Sequence, residues 1–226
     1  MKYEVKATLK NIPEYVSTGN EKLKSNAKVL FLIWNLPAQI TCPYRTDHCT
    51  VCCYAKKAEA MYPDVLPCRE KNLKLSMSDS FVTDMINLIS IKLNHLKNGR
   101  VIRFRIHESG DFYNRAYVQK WLKIIHYFAN DNRILFMAYT KSVYFFRNVN
   151  LTEYKNFVLR FSLWDDTDMA EEVTACAMGL PTYTALSKED LAKEIPNTYA
   201  YCDCKDCGTC LKCYNANIKR IICLIH

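Results

Sequence analysis

Apolar positions recur along the chain in three rhythms. Val29-Leu30-Phe31-Leu32-Ile33-Trp34 is an unbroken apolar run, which predicts a buried strand. Val101-Ile102-Arg103-Phe104-Arg105-Ile106-His107 alternates instead, with Ile102, Phe104 and Ile106 on one face and Arg103, Arg105 and His107 on the other. Between the two, Val82, Met85, Ile86, Ile89 and Leu93 recur at helical spacing. That predicts a helix capped at Ser78-Asp79-Ser80, running to about Leu96 and ended by Asn98-Gly99. Past the polar turn Glu108-Ser109-Gly110-Asp111-Phe112, Asn114 caps a second helix whose core stripe is Tyr117, Val118, Trp121, Leu122, Ile125 and Phe128. Strands follow over 134–139 and 157–164, the latter with Arg160 and Ser162 facing away from Leu159, Phe161 and Leu163. Residues 165–200 are less regular, with a short helix near 186–194.

Strand and helix alternation predicts an α/β fold, a partial parallel (β/α) barrel with right-handed crossovers. Three segments are expected: a polar N-terminal arm over 1–28, a barrel-like catalytic domain over 29–200 and a cysteine-rich metal-binding segment over 201–226. Ligand chemistry in such sheets gathers at the carboxyl ends of the strands. The 42–53 loop, the 108–111 turn, Thr140-Lys141-Ser142 and Asp165-Asp166 all fall there. Helices would bury the Ile102 face, so Arg103, Arg105 and His107 would line a lumen that holds a ligand. An edge strand with one solvated face is the blander reading of the same alternation.

Composition narrows the chemistry. Only 5 glycines occur in 226 residues, and no GxGxxG or GxxxxGK phosphate loop is present. The start, Met1-Lys2-Tyr3-Glu4-Val5-Lys6, has no apolar export signal, and the apolar stretch 29–40 is too short to cross a bilayer. A reducing cytoplasm and no membrane partner are therefore expected. There, 12 cysteines in clusters point to metal ligation ahead of disulfides. The net charge of +8 is compatible with a nucleic-acid partner and equally with plain solubility.

Six residues separate Cys42 from Cys49 and three separate Cys49 from Cys53, with Cys52 as an alternate third ligand. Three thiolates hold a [4Fe–4S] cluster with one iron open to an exogenous ligand. A zinc site completed by His48 or Cys68 is the competing reading. Cys202, Cys204, Cys207, Cys210 and Cys213 form a second set, which suits a second iron–sulfur cluster or a structural zinc, with Cys223 or His226 as a distant ligand. Cys176 reads as a buried thiol. His107, Glu108 and Asp111, at the end of the polar strand face, are candidate catalytic residues.

With these residues in view, the chain resembles a family of phage and prophage proteins named after gene product eighty-eight of a mycobacteriophage. The resemblance runs from about Asn26 to Tyr214 and rests on Thr41-Cys42-Pro43, Cys49 through Ala55, Arg105 through Phe112, Ala138 through Ser142 and Cys207 through Cys213. More remotely it resembles small radical S-adenosylmethionine (SAM) enzymes, in which a partial parallel barrel carries a three-cysteine [4Fe–4S] loop after its first strand. That resemblance implies Cys42, Cys49 and Cys53 as cluster ligands and the 108–111 turn, with Ser109 and Gly110, as a contact for the SAM amino group. It implies Arg160 and Ser162 as partners of the SAM carboxylate or ribose, an external electron donor, and a 5′-deoxyadenosyl radical acting on a nucleic-acid or peptide substrate. The cysteine spacing differs from that superfamily's three residues and then two. A second likeness joins His107 through Phe112 and Cys202-x-Cys204-x-x-Cys207 to guanine transglycosylases. It implies a zinc-containing DNA base-modifying enzyme with Glu108 as general acid/base and Asp165 or Asp166 as nucleophile. A non-catalytic zinc protein that binds nucleic acid is the third reading.

Overall fold

A computed structural model describes residues 2–5, 16–203 and 205–225. Seven strands form one sheet: β1 (Val29–Trp34), β2 (Val101–Ile106), β3 (Ile134–Thr140), β4 (Phe157–Leu163), β5 (Thr182–Leu186), β6 (Ala200–Cys202) and β7 (Arg220–Leu224). Every pairing is parallel and the order is β1-β2-β3-β4-β5-β7-β6, which curls into an open half-barrel. The first five strands are laid down in sequence order, as strand–crossover–strand units require. β7 then inserts between β5 and β6, so the segment expected as a separate cysteine-rich piece supplies sheet strands. β2 lies between β1 and β3, which removes the edge-strand reading of its alternation.

The convex face is covered by helices. α1 (Asp47–Val51), α2 (Tyr54–Met61) and α3 (Val65–Met77) lead to α4 (Phe81–Asn94), and α5 (Arg115–Tyr127) follows β2. Ile102, Phe104 and Ile106 pack with Trp34, Phe81, Met85, Leu88, Tyr117 and Trp121 in the main core. Trp121 meets Phe104 edge-on at 5.5 Å and Phe81 at 5.6 Å between ring centroids. Burying each such side chain contributes about 1.5–3 kcal/mol. Asn114 caps α5 as its position predicts, its Oδ1 accepting from the Tyr117 amide at 2.8 Å. α4 ends two residues before Leu96. Its expected cap is different as well: Ser80 makes no side-chain cap, and Ser78 Oγ donates back to the Leu75 carbonyl, closing α3.

The concave face is filled by the chain itself. Phe31, Ile33, Met137 and Val158 pack against Leu23 and Tyr214, one from each end of the sequence. α6 (Met169–Ala177) precedes β5, α7 (Lys188–Lys193) follows it, and the single turn α8 (Cys207–Cys210) with a 3₁₀ turn at Lys212–Tyr214 lies between β6 and β7. These last two turns lie over β2 to β4. Arg160 fixes them: its Nε donates to the Cys213 carbonyl at 2.9 Å, Nη1 to Ile218 at 2.8 Å, and Nη2 to Lys212 at 3.2 Å and Asn215 at 2.6 Å. The described parts of the N-terminal stretch are mostly exposed but are anchored at a few points. Ser17 bridges to Ile33 beside β1, and Tyr3 trades backbone hydrogen bonds with the Asn94 side chain. Cys176, expected inside, is exposed on α6. Among the described residues no helix is long and apolar enough to cross a membrane.

Replacing Arg160 by Met leaves four part-buried carbonyls without its donors. The expected loss is about 3 kcal/mol of stability, read from the urea midpoint, with faster proteolysis of the 207–218 turns. An unchanged midpoint would show that those turns hold without the guanidinium.

Candidate functional site

The carboxyl edge of β1 and β2 is laced together before the cysteine loop begins. Asn35 Oδ1 accepts from the Glu108 and Ser109 amides at 2.8 and 2.9 Å, and Ser109 Oγ donates to the Leu36 carbonyl at 2.8 Å. Gly110 has φ +81°, and a Cβ on it would stand 2.5 Å from Thr41 Oγ1 and 2.7 Å from Leu36 Cβ. Only glycine lets the turn close against Thr41, the residue before Cys42. Cys42 then lies in the loop, Cys49 on α1 and Cys53 at the N-cap of α2, all half-buried. Thr46 Oγ1 caps α1 by accepting from the Cys49 amide at 3.2 Å. Cys52 closes α1 at its C-cap, its amide donating to the His48 carbonyl.

Electrostatics group the three thiols. Burial pushes Cys42 up to about 12, helped by Asp111 and by the fields of Cys49 and Cys53. Burial also raises Cys49, opposed by the ammonium of Lys141. Such thiols stay protonated until a metal displaces their protons. None of the eleven described cysteines is in a disulfide. Among the described residues no three cysteine sulfurs lie all within 4.8 Å of one another. A tetrahedral zinc with bonds of about 2.3 Å draws its sulfurs to about 3.8 Å separation.

The candidate catalytic residues are placed unequally. His107 has φ +63°, which turns its ring away from Arg103 and Arg105 and into the helix-side core. Phe112 lies 4.7 Å from it edge-on, and Nε2 is 2.9 Å from Tyr117 Oη. The strict alternation expected of β2 fails there because the strand has already ended at Ile106. Burial, with Arg105 nearby, lowers the His107 pKa to about 3. Asp111 is buried too, and its carboxylate accepts from Thr140 Oγ1 at 2.7 Å, Ser142 Oγ at 3.1 Å and the Lys141 and Phe112 amides at 2.9 and 2.7 Å. It ties the turn after β2 to the turn after β3. Glu108 stays at the mouth, with both carboxylate oxygens accepting from Asn20 Nδ2, while its carbonyl accepts from Tyr54 Oη. Arg160 is committed to the C-terminal carbonyls, and Ser162 presents its carbonyl to Lys141 Nζ at 2.9 Å.

In the sequence Lys141 stands out only as part of a polar strand end. It is buried, its ammonium lies 5.2 Å from the Trp164 ring, and burial lowers its pKa to about 8. With Tyr44, Arg45, Thr46, Asp166 and Glu171 it lines a cavity of about 310 Å3 beside Cys49. The Thr-Lys-Ser sequence at the end of β3 was its only signal. At the rim, His48 Nδ1 lies 2.7 Å from Asp165 Oδ1, and these two with Asp166 are exposed.

The second thiol set lies inside the curve of the sheet. Cys202, Cys207, Cys210 and Cys213 line one cavity together with Arg105, Met137 and Tyr139. Tyr139 Oη donates to Cys213 Sγ at 2.7 Å, and the Arg105 guanidinium stands 3.9 Å over the Tyr139 ring. Burial, with Cys213 and Cys202 next to it, pushes Cys207 up to about 12. Cys204 and His226 lie outside the described residues. Cys223 is buried on β7 and does not line the cavity.

Comparison with known proteins bears on this arrangement. The family described as Gene product 88 matches residues 10–216, which contain both thiol sets. The chain belongs to that family. It is 32% identical over 106 residues to the Gene 88 protein of Mycobacterium phage D29, covering 45% of this chain and 42% of the relative. It is 33% identical over 107 residues to the Gene 88 protein of Mycobacterium phage L5, covering 45% and 43%. The alignment thus spans less than half the length of either relative. No solved structure matches the chain.

His107 gives a pH dependence with a defined sign. Its native pKa is lowered to about 3 from 6.5, so below about 6.5 the unfolded chain binds a proton that the native chain does not. Its contribution is complete above that pH and is lost as pH falls toward 3, at up to about 1.4 kcal/mol per pH unit. Urea midpoints between pH 7 and 4 should fall less steeply in His107→Asn than in the native chain. Equal slopes would place the acid sensitivity elsewhere.

Proposed function

We propose that this chain is an iron–sulfur enzyme of the radical SAM type, which cleaves SAM reductively to modify a nucleic-acid or peptide substrate. The observation that carries the reading is the convergence of Cys42, Cys49 and Cys53 at the carboxyl edge of the first strand of a parallel half-barrel. The donor set fits the group: three neighbouring thiols in one loop, with no disulfide among them. A [4Fe–4S] cluster with one open iron, once bound there with SAM, supplies one-electron cleavage of a sulfonium carbon–sulfur bond.

The chain's own residues prepare that place. Thr41 packed on Gly110 fixes the backbone entering Cys42, and Asp111 holds the neighbouring turn in register with β3. Lys141 sets a positive charge beside the thiolates, offsetting the cost of gathering negative charge in a half-buried loop. The same ammonium opens on the 310 Å3 cavity, where it can bind an anionic group of the ligand while Tyr44 and Arg45 close the rim. An external one-electron donor completes the requirement.

Protein purified without oxygen should bind iron and sulfide, and the reduced-cluster spectrum should change when SAM is added. Cys42→Ala, Cys49→Ala and Cys53→Ala should each abolish formation of 5′-deoxyadenosine, whereas Cys52→Ala should retain it. SAM cleavage persisting in all three would overturn the reading. Zinc alone, surviving anaerobic reconstitution with iron and sulfide, would redirect it to zinc-dependent DNA base exchange with Glu108 as the acid–base group.

A further inference from the structure

We propose that Cys202, Cys207, Cys210 and Cys213 hold a second, fully thiolate-ligated iron–sulfur cluster inside the curve of the half-barrel, and that Arg105 and Tyr139 set its reduction potential. This inference does not depend on SAM chemistry at the first loop.

The four sulfurs come from three pieces of chain, the end of β6, the turn α8 and the 3₁₀ turn after it, yet they line one cavity. The floor of that cavity is the sheet: Arg105 of β2 and Met137 and Tyr139 of β3. The cradle is held from both sides. Below, Arg160 engages the carbonyls at 212, 213, 215 and 218. Above, the Cys207 amide donates to the Lys22 carbonyl at 3.0 Å, and a Cβ on Gly208 would meet the Lys24 carbonyl oxygen at 2.6 Å. A thiol loop packed this closely on a sheet is positioned by the fold and not left as a tail.

Arg105 is the independent pointer to an anionic occupant. It is only 8% exposed, and among the described residues no carboxylate pairs with it. Its Nε donates to the His107 carbonyl at 2.9 Å and its Nη1 lies 3.5 Å from Met137 Sδ. A buried guanidinium without an acid partner is costly unless negative charge stands beside it. Four thiolates around a metal centre carry that charge. The consecutive two-residue spacings of Cys207, Cys210 and Cys213 match the run that wraps an iron–sulfur cube, which favours a cluster over a single zinc. With four protein ligands no iron remains open, so such a centre carries electrons instead of binding substrate. Reduction adds one negative charge, which Arg105 stabilises together with the Tyr139 hydroxyl on Cys213 Sγ.

The test separates the two thiol sets. A chain carrying Cys42→Ala, Cys49→Ala and Cys53→Ala together, reconstituted anaerobically with iron and sulfide, should retain about four irons and four sulfides. Cys207→Ala with Cys210→Ala should lose that share and keep the other. If the first loop binds no cluster, the native chain and the triple variant will hold equal iron, which leaves the second centre standing while the SAM reading falls. In the triple variant, Arg105→Met and Tyr139→Phe should keep their iron and shift the dithionite-reducible midpoint to more negative potential, with Arg105→Lys restoring part of the shift. A triple variant that takes up no iron, or holds zinc that iron and sulfide do not displace, would overturn the second cluster. Midpoints unmoved in both floor variants would overturn the tuning role.

Discussion

A parallel sheet that curls without closing buries its convex face under helices but leaves its inner face to be covered by something else, and this constraint governs the molecule. The inner face carries apolar residues from β1, β3 and β4 and three arginines from β2 and β4. Open to water, the apolar part is a cost; filled by ordinary core, the arginines would be. The chain solves this with its C-terminal turns, which are both apolar and polar, joined by Leu23 from the N-terminal stretch. Tyr214 and Leu23 cover Phe31, Ile33 and Val158. The backbone carbonyls of the same C-terminal turns satisfy Arg160, and its cysteines face Arg105. Covering the sheet and assembling the second thiol set are one event.

The mouth of the half-barrel obeys a different logic, in which loops are made rigid by reciprocal hydrogen bonds. Asn35 receives two amides of the turn after β2, Asp111 receives four donors from two turns, and Gly110 permits contact with Thr41. Removing any one leaves a buried polar group unpaired, which is why these residues read as architecture for the cysteine loop more than as chemistry. Glu108 is the exception among them, since its carboxylate alone remains at the surface of the mouth with a single amide partner.

Much of this was legible along the chain, and the failures have physical causes. The strands over 29–34, 101–106, 134–140 and 157–163 announce themselves through apolar runs and alternation, as does the stripe of α5. α3 does not, because the residues it buries are Arg69, Asn72 and Ser76, which no hydrophobic period can register. Arg69 pairs with Glu59 at 3.0 Å, and Asn72 Nδ2 donates to the Asn35 carbonyl at 2.8 Å. β6 and β7 are short strands that depend on neighbours distant in sequence. His107 departs from the β2 alternation because alternation assumes an extended backbone, and its positive φ breaks that assumption one residue past the strand. Alternation along β4 sets Arg160 apart from Leu159 and Phe161, but what meets it is decided by the C-terminal turns and by nothing local to β4.

Each thiol set has a buried cation beside it, Lys141 at the mouth and Arg105 within, and these two differ in kind. Lys141 serves the set at the mouth, where burial lowers its pKa to about 8, so its charge is held only weakly. Arg105 serves the inner set; burial works against its charge, but the surrounding phenols and thiols more than offset this and raise its pKa. Lysine is a compact, adjustable charge, and guanidinium a permanent one that can stack on an aromatic ring as Arg105 does on Tyr139. A centre that exchanges ligands benefits from a neighbour whose charge and position respond to what binds. A closed centre needs a fixed field, because any change in that field would move its potential. The distribution of lysine and arginine therefore divides the two sets in the same way as the ligand numbers proposed for them, three thiols at the mouth and four within.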